Sequence, residues 1–115
     1  MGAVAPEINM DIEIIELTGD VNHVTVIDFE VKLIEARRRK APVVIDLSRA
    51  TYLCGELLEV LKRDERNSSK NDPTVAVVAR PACQKVWFED TKMTKIVSIF
   101  TSRDEAIADL TVSSR

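Results

Sequence analysis

The sequence predicts an α/β domain built on a mostly parallel or mixed sheet of four to five strands with about four helices. Three observations carry that expectation. Strand-like and helix-like segments alternate in the order β-α-β-α-β-α-β-α. Two of the strand-like segments are continuous apolar runs, the pattern of central strands buried on both faces. The connections are short enough for right-handed crossovers. At 115 residues the chain holds one core of ordinary size, expected over residues 8–112, with flexible termini at 1–7 and 113–115.

The first strand is expected over about 9–18, where Ile12, Ile14, Ile15 and Leu17 form a β-branched segment that stops at Thr18-Gly19-Asp20. An amphipathic helix follows over about 23–39. Ile27, Val31 and Ile34 recur along it at i, i+4 and i+7, and Phe29, Leu33 and Ala36 widen the stripe. Arg37-Arg38-Arg39-Lys40 suits the negative end of the helix dipole, and Pro42 closes the segment. Next comes the strongest strand candidate, Pro42-Val43-Val44-Ile45-Asp46-Leu47-Ser48, followed by an irregular stretch from Arg49 to Gly55. The Glu56–Arg63 segment favours helix, with its leucines on one side, and Asn67 to Pro73 reads as an exposed loop. Thr74 to Ala79 is the second buried strand. Pro81 can open a helix in which Ala82, Cys83, Val86 and Trp87 share a core-facing side. Lys95 to Phe100 alternates as a last strand, and Ser102-Arg103-Asp104-Glu105 is a capping box opening the helix Glu105–Leu110.

Composition narrows the function before any motif does. Sixteen Lys and Arg against nineteen Asp and Glu give a net charge of −3, which argues against a phosphate backbone as the main partner. No apolar run approaches membrane-spanning length, and the first residues lack the pattern of a signal peptide, so a cytoplasmic protein without a membrane part is expected. Cys54 and Cys83 lack the spacing of a zinc site or a disulfide framework, and His23 is the single histidine. Neither a nucleophile–base pair nor a glycine-rich phosphate loop can be assembled. The sequence therefore points to a non-enzymatic chain without metal or cofactor. Partners of a parallel sheet meet the carboxyl ends of its strands, here Gly19 to Asn22, Ser48 to Gly55 and Arg80-Pro81.

Three segments in order resemble a known family, the sulfate transporter and anti-sigma factor antagonist (STAS) domain. Glu16-Leu17-Thr18-Gly19-Asp20-Val21-Asn22 is similar to the family's first strand and its L-x-G-x-[LV]-[DN] turn. Val44-Ile45-Asp46-Leu47-Ser48-Arg49-Ala50-Thr51-Tyr52-Leu53 resembles the central v-L-D-L-s-x-v-x-[FY]-[IM] strand. Met93 to Phe100 with Glu105-Ala106 resembles the G-L-x-k-i-f…E-A ending. The resemblance implies a single STAS-like domain and a bacterial partner switch, one that docks on an anti-sigma factor or its serine kinase activity and so frees a sigma factor. A homodimer is compatible with it. The partner-binding surface it implies comprises Asp20, Asn22, Ser48, Thr51, Tyr52, Cys54, Gly55, Glu56 and Glu59.

The chain departs from that family at the switch itself. The family's D-S-x-G-L segment, carried over without a gap, places its aspartate on Cys54 and its serine on Gly55; of the five positions only Leu58 matches. Gly55 is a degenerate phosphosite, because without a hydroxyl it cannot receive the roughly −2 charge that a phosphate brings. Sliding the alignment by two pairs Cys54 with serine and still supplies no phosphorylatable oxygen. Cys54 at a helix start could instead react as a thiolate, although no neighbouring cation or resolving cysteine accompanies it in sequence. The alternative function is a small-molecule or lipid-binding module in which the strand ends and Trp87 enclose an apolar ligand.

Overall fold

A computed structural model describes residues 12–69, 72, 75–79, 92 and 97–113. Four strands, β1 (Glu13–Val21), β2 (Val43–Leu53), β3 (Val75–Val78) and β4 (Ser98–Phe100), form one sheet in the order β1-β2-β3-β4. Every neighbouring pair is parallel. The described helices are α1 (His23–Arg38), α2 (Glu56–Asn67) and α3 (Arg103–Ser113). The helix expected after Pro81, with Cys83 and Trp87, lies outside the described residues, as do Lys95 and Ile96 of the expected last strand.

The two faces of the sheet are covered by different helices. Val43, Ile45, Leu47, Val75 and Val77 pack with α1 and α2 through Phe29, Leu33, Leu57, Val60 and Leu61. Val44, Ala76 and Val78, which point the other way by strand alternation, pack with Ala106 and Leu110 of α3. Both central strands are thus buried on two sides, as their apolar runs require, with Asp46 the buried polar position in β2.

Two strand ends run past the sequence expectation, for one shared reason. β2 continues through the stretch read as irregular and ends at Leu53, while β1 continues through Thr18-Gly19-Asp20 to Val21. Register shifts fall between Glu16 and Thr18 and again between Gly19 and Asp20, and at each one β2 inserts an extra residue. Its inward positions consequently step from Leu47 to Ala50 to Leu53, by threes. The period-2 signal is erased where the strand persists. Gly19, with φ of +69°, supplies the left-handed backbone that β1 needs opposite this bulged segment.

A third difference concerns orientation. α1 runs where expected, but it turns Val26, Phe29, Leu33 and Ala36 into the core. Ile27, Val31 and Ile34, the residues that lead the sequence pattern, face solvent together with Val24. α1 closes in a Schellman turn: Ala41 N–H donates to the Ala36 carbonyl (3.0 Å), Lys40 N–H donates to Arg37 (3.0 Å), and Lys40 takes φ of +59°. α2 extends four residues past Arg63 despite lacking apolar residues there. Arg37 donates to Asp64 through Nε (2.9 Å) and Nη2 (2.7 Å), and the Ser68 hydroxyl donates to the Asp64 carbonyl (2.7 Å). α3 starts two residues before Glu105: Ser102 Oγ accepts from Glu105 N–H (3.2 Å), while the Glu105 carboxylate accepts from Thr101. No described helix is long and apolar enough to cross a membrane.

Candidate functional site

The carboxyl ends of β1 and β2 stop side by side, with Asp20 opposite Tyr52 and Val21 opposite Leu53. Cys54 N–H continues the ladder by donating to the Val21 carbonyl (3.1 Å). That one bond sets the start of α2 next to the start of α1. Asn22 caps α1: its Oδ1 accepts from Val24 N–H (3.0 Å) and Thr25 N–H (3.2 Å), two of the donors that a helix start leaves unpaired. Across the gap His23 Nδ1 lies 2.9 Å from both carboxylate oxygens of Glu56. His23, the first residue of α1, therefore ties the two helix starts together. Its partner lies 33 positions along the chain, so no local pattern reveals the pair.

This arrangement gathers Asp20, Asn22, Tyr52, Cys54, Gly55 and Glu56 at one edge, with Thr51 exposed on the adjoining strand and Glu59 exposed one turn into α2. Ser48 stands apart. It lies within β2, five residues before the strand ends, at a separation of about 16 Å for extended chain. Its amide donates to Asp46 Oδ1 (2.9 Å). Cys54 is half-buried and packs against the core, so its side chain serves the junction between strand and helix. Among the described residues no group of three His, Cys, Asp or Glu side chains is placed to hold a metal ion.

Gly55 occupies the N-cap of α2, with φ of −63° and ψ of −23° and no side-chain cap. A Cβ built there meets nothing within 4 Å. Neither backbone conformation nor space demands glycine, so a serine could stand at this position without displacing a neighbour.

Asp46 is a second feature that sequence reasoning passed over. It is 4% exposed in the middle of β2, on the face covered by α3. Its Oδ2 accepts from Arg103 Nε (2.9 Å) and Nη2 (2.8 Å). Burial pushes its carboxyl up, but the hydrogen bonds from Ser48 and the Arg103 guanidinium outweigh this and hold it below the ordinary carboxylate value. The aspartate inside an apolar run is the signal that could have been followed. An unpaired carboxylate is costly there, so a cation from another element has to reach it.

A groove of about 470 Å³ opens between α1 and α2, lined by Leu33, Ile34, Arg37, Val60 and Asp64 among others. It lies toward the carboxyl ends of the two helices, away from the strand ends at which the alternative function places an enclosed ligand.

The assembled geometry matches a solved structure. An anti-sigma factor antagonist from Mycobacterium paratuberculosis superimposes with a TM-score of 0.76 at 21% identity, covering 86% of this chain and 85% of that one. The fold is STAS-like. No family model matches the chain, and no curated protein matches it by sequence. The STAS-like arrangement accounts for all three sequence segments at once. The first supplies β1 and the cap of α1, the second supplies β2 with Asp46, and the described part of the third, Val97 to Phe100 with Glu105-Ala106, supplies β4 and part of the first turn of α3.

Proposed function

We propose that this chain is a regulatory docking module of the anti-sigma factor antagonist type, which binds an anti-sigma factor or related serine kinase and so releases a sigma factor. The observation that carries the reading is the STAS-like fold, shared over 86% of the chain with a protein described as an anti-sigma factor antagonist. The edge formed by Asp20, Tyr52, Gly55, Glu56 and Glu59 supports it. An exposed aromatic beside three exposed carboxylates suits a partner surface with basic side chains. Such a complex forms faster at low salt, because the Debye length over which rim charges steer encounter grows from about 10 Å at 0.1 M to about 30 Å at 0.01 M ionic strength.

Control by phosphate at the α2 start is missing from this reading, since Gly55 offers no hydroxyl. The chain then acts as a docking module that stays active wherever a serine would be switched off. Titration calorimetry against the ATPase-fold anti-sigma factors and kinases of the host tests the proposal. Binding to one of them that weakens on Glu56→Lys supports it, and an absence of binding to all of them overturns it. In the same assay Gly55→Ser is expected to bind like the parent and to accept phosphate from a partner kinase.

A further inference from the structure

The four apolar residues that α1 turns to solvent form a continuous seam. Val24, Ile27, Val31 and Ile34 are spaced by three, four and three residues, and they are 72%, 55%, 53% and 47% exposed. Val26, Phe29, Leu33 and Ala36 already fill the opposite side against the sheet. A surface helix normally carries polar residues on its outer face. Here the outer face has the 3-4 spacing of a coiled-coil seam, with an apolar patch on the order of 400 Å², the size at which exposed patches mark interaction sites.

Charge along the same helix is polarised. Asp20 and Glu56 lie beside its start, although its own first turn holds no acidic residue, and its end carries Arg37, Arg38, Arg39 and Lys40, of which Arg37, Arg39 and Lys40 already pair with Asp64, Glu13 and Asp72. Arg38 is exposed, continues the seam spacing four residues after Ile34, and has no side-chain partner among the described residues. We propose that α1 is a self-docking surface on which a second copy of this chain packs antiparallel. Pairing about a point between Ile27 and Val31 sets Val24 against Ile34 and Ile27 against Val31 of the second copy. Every layer of the seam is then apolar. The same pairing carries the basic end of each helix toward the acidic start of the other and opposes the two helix dipoles, whereas a parallel pairing would stack like charges. The inference rests on the exposed face of α1 and not on the docking function proposed above.

Two seams bury about 800 Å², and the polar rim of Asp28, Lys32, Glu35 and Arg38 brings the total toward the roughly 1,200 Å² at which specific interfaces begin. An interface at that lower bound fits a weak dimer, and the expected dissociation constant is on the order of 10–100 μM. Sedimentation velocity of the full chain from about 5 to 500 μM tests this range. The expected result is a concentration-dependent rise toward twice the monomer mass, with Ile27→Lys and Val31→Glu staying monomeric and melting like the parent. Arg38→Glu is expected to weaken association at least about fivefold, and raised salt should weaken it in the parent. A parent chain that stays monomeric throughout overturns the proposal and leaves the seam to a different protein. Dimers that persist in both seam variants overturn it too, and indifference to Arg38→Glu overturns the antiparallel pairing.

Discussion

Replacing Asp46 by Asn probes a buried charge that joins the sheet to α3. The amide keeps the size of the carboxylate and can still accept from the Ser48 amide, now 2.9 Å from Oδ1. What it loses is the two-pronged, charge-assisted contact with Arg103, made at 2.9 and 2.8 Å. Hydrogen bonds to charged groups contribute about 1.5–3 kcal/mol, and breaking a fully buried pair costs about 3–5 kcal/mol. Arg103 is 40% exposed, so its guanidinium regains water once the partner is neutral, and the lower range of about 1.5–3 kcal/mol applies. For a domain of this size that is a fall in Tm of about 5–15 °C at neutral pH. The sign of the pH dependence follows from the depressed carboxyl of Asp46. Its ionised form adds stability above the unfolded-state value near 3.8, and that stability is lost as pH falls through the lower folded-state value. Circular dichroism melts of parent and variant should therefore differ most at neutral pH and converge in strong acid. A difference below about 2 °C at pH 7, or one that persists undiminished in acid, would refute the role given to this pair.

Two further substitution pairs separate features that look alike in sequence. Phe29→Ala empties a core position and should cost about 3–5 kcal/mol in a urea titration, while Val31→Ala, two residues along the same helix, should change stability by less than about 0.5 kcal/mol; similar losses at both sites would contradict the orientation of α1. Gly19→Ala forces a side chain into left-handed backbone and should cost about 1–2 kcal/mol, whereas Gly55→Ala should stay within about 0.5 kcal/mol, because both sites have open space and only Gly19 has positive φ. Equal thermal shifts for the two alanines would show that backbone conformation is not what distinguishes these glycines.

Much of the layout follows from local patterning. The alternation of elements, the two doubly buried strands and the cap at Ser102 each depend on residues close together in the chain. The bulged half of β2 does not, because its extra residues interrupt the alternation by which a strand is recognised, and only pairing with β1 restores the register. The edge proposed for docking is legible in the sequence in part. Asp20, Tyr52, Gly55 and Glu56 come together because consecutive parallel strands end at the same edge, while Ser48 falls short of it because β2 continues to Leu53.

By itself the sequence determined that the chain folds as one α/β unit, which runs become central strands, and that position 55 lacks a hydroxyl. Tertiary structure alone decided which side of α1 is inside. Val24, Ile27, Val31 and Ile34 satisfy helical periodicity as well as Val26, Phe29, Leu33 and Ala36 do, so the pattern permits two phases. The choice is made where the helix meets the sheet. Phe29 and Leu33 fill the space over Ile45 and Leu47, the bond from Cys54 to Val21 sets where the helix starts, and the competing stripe is left facing water.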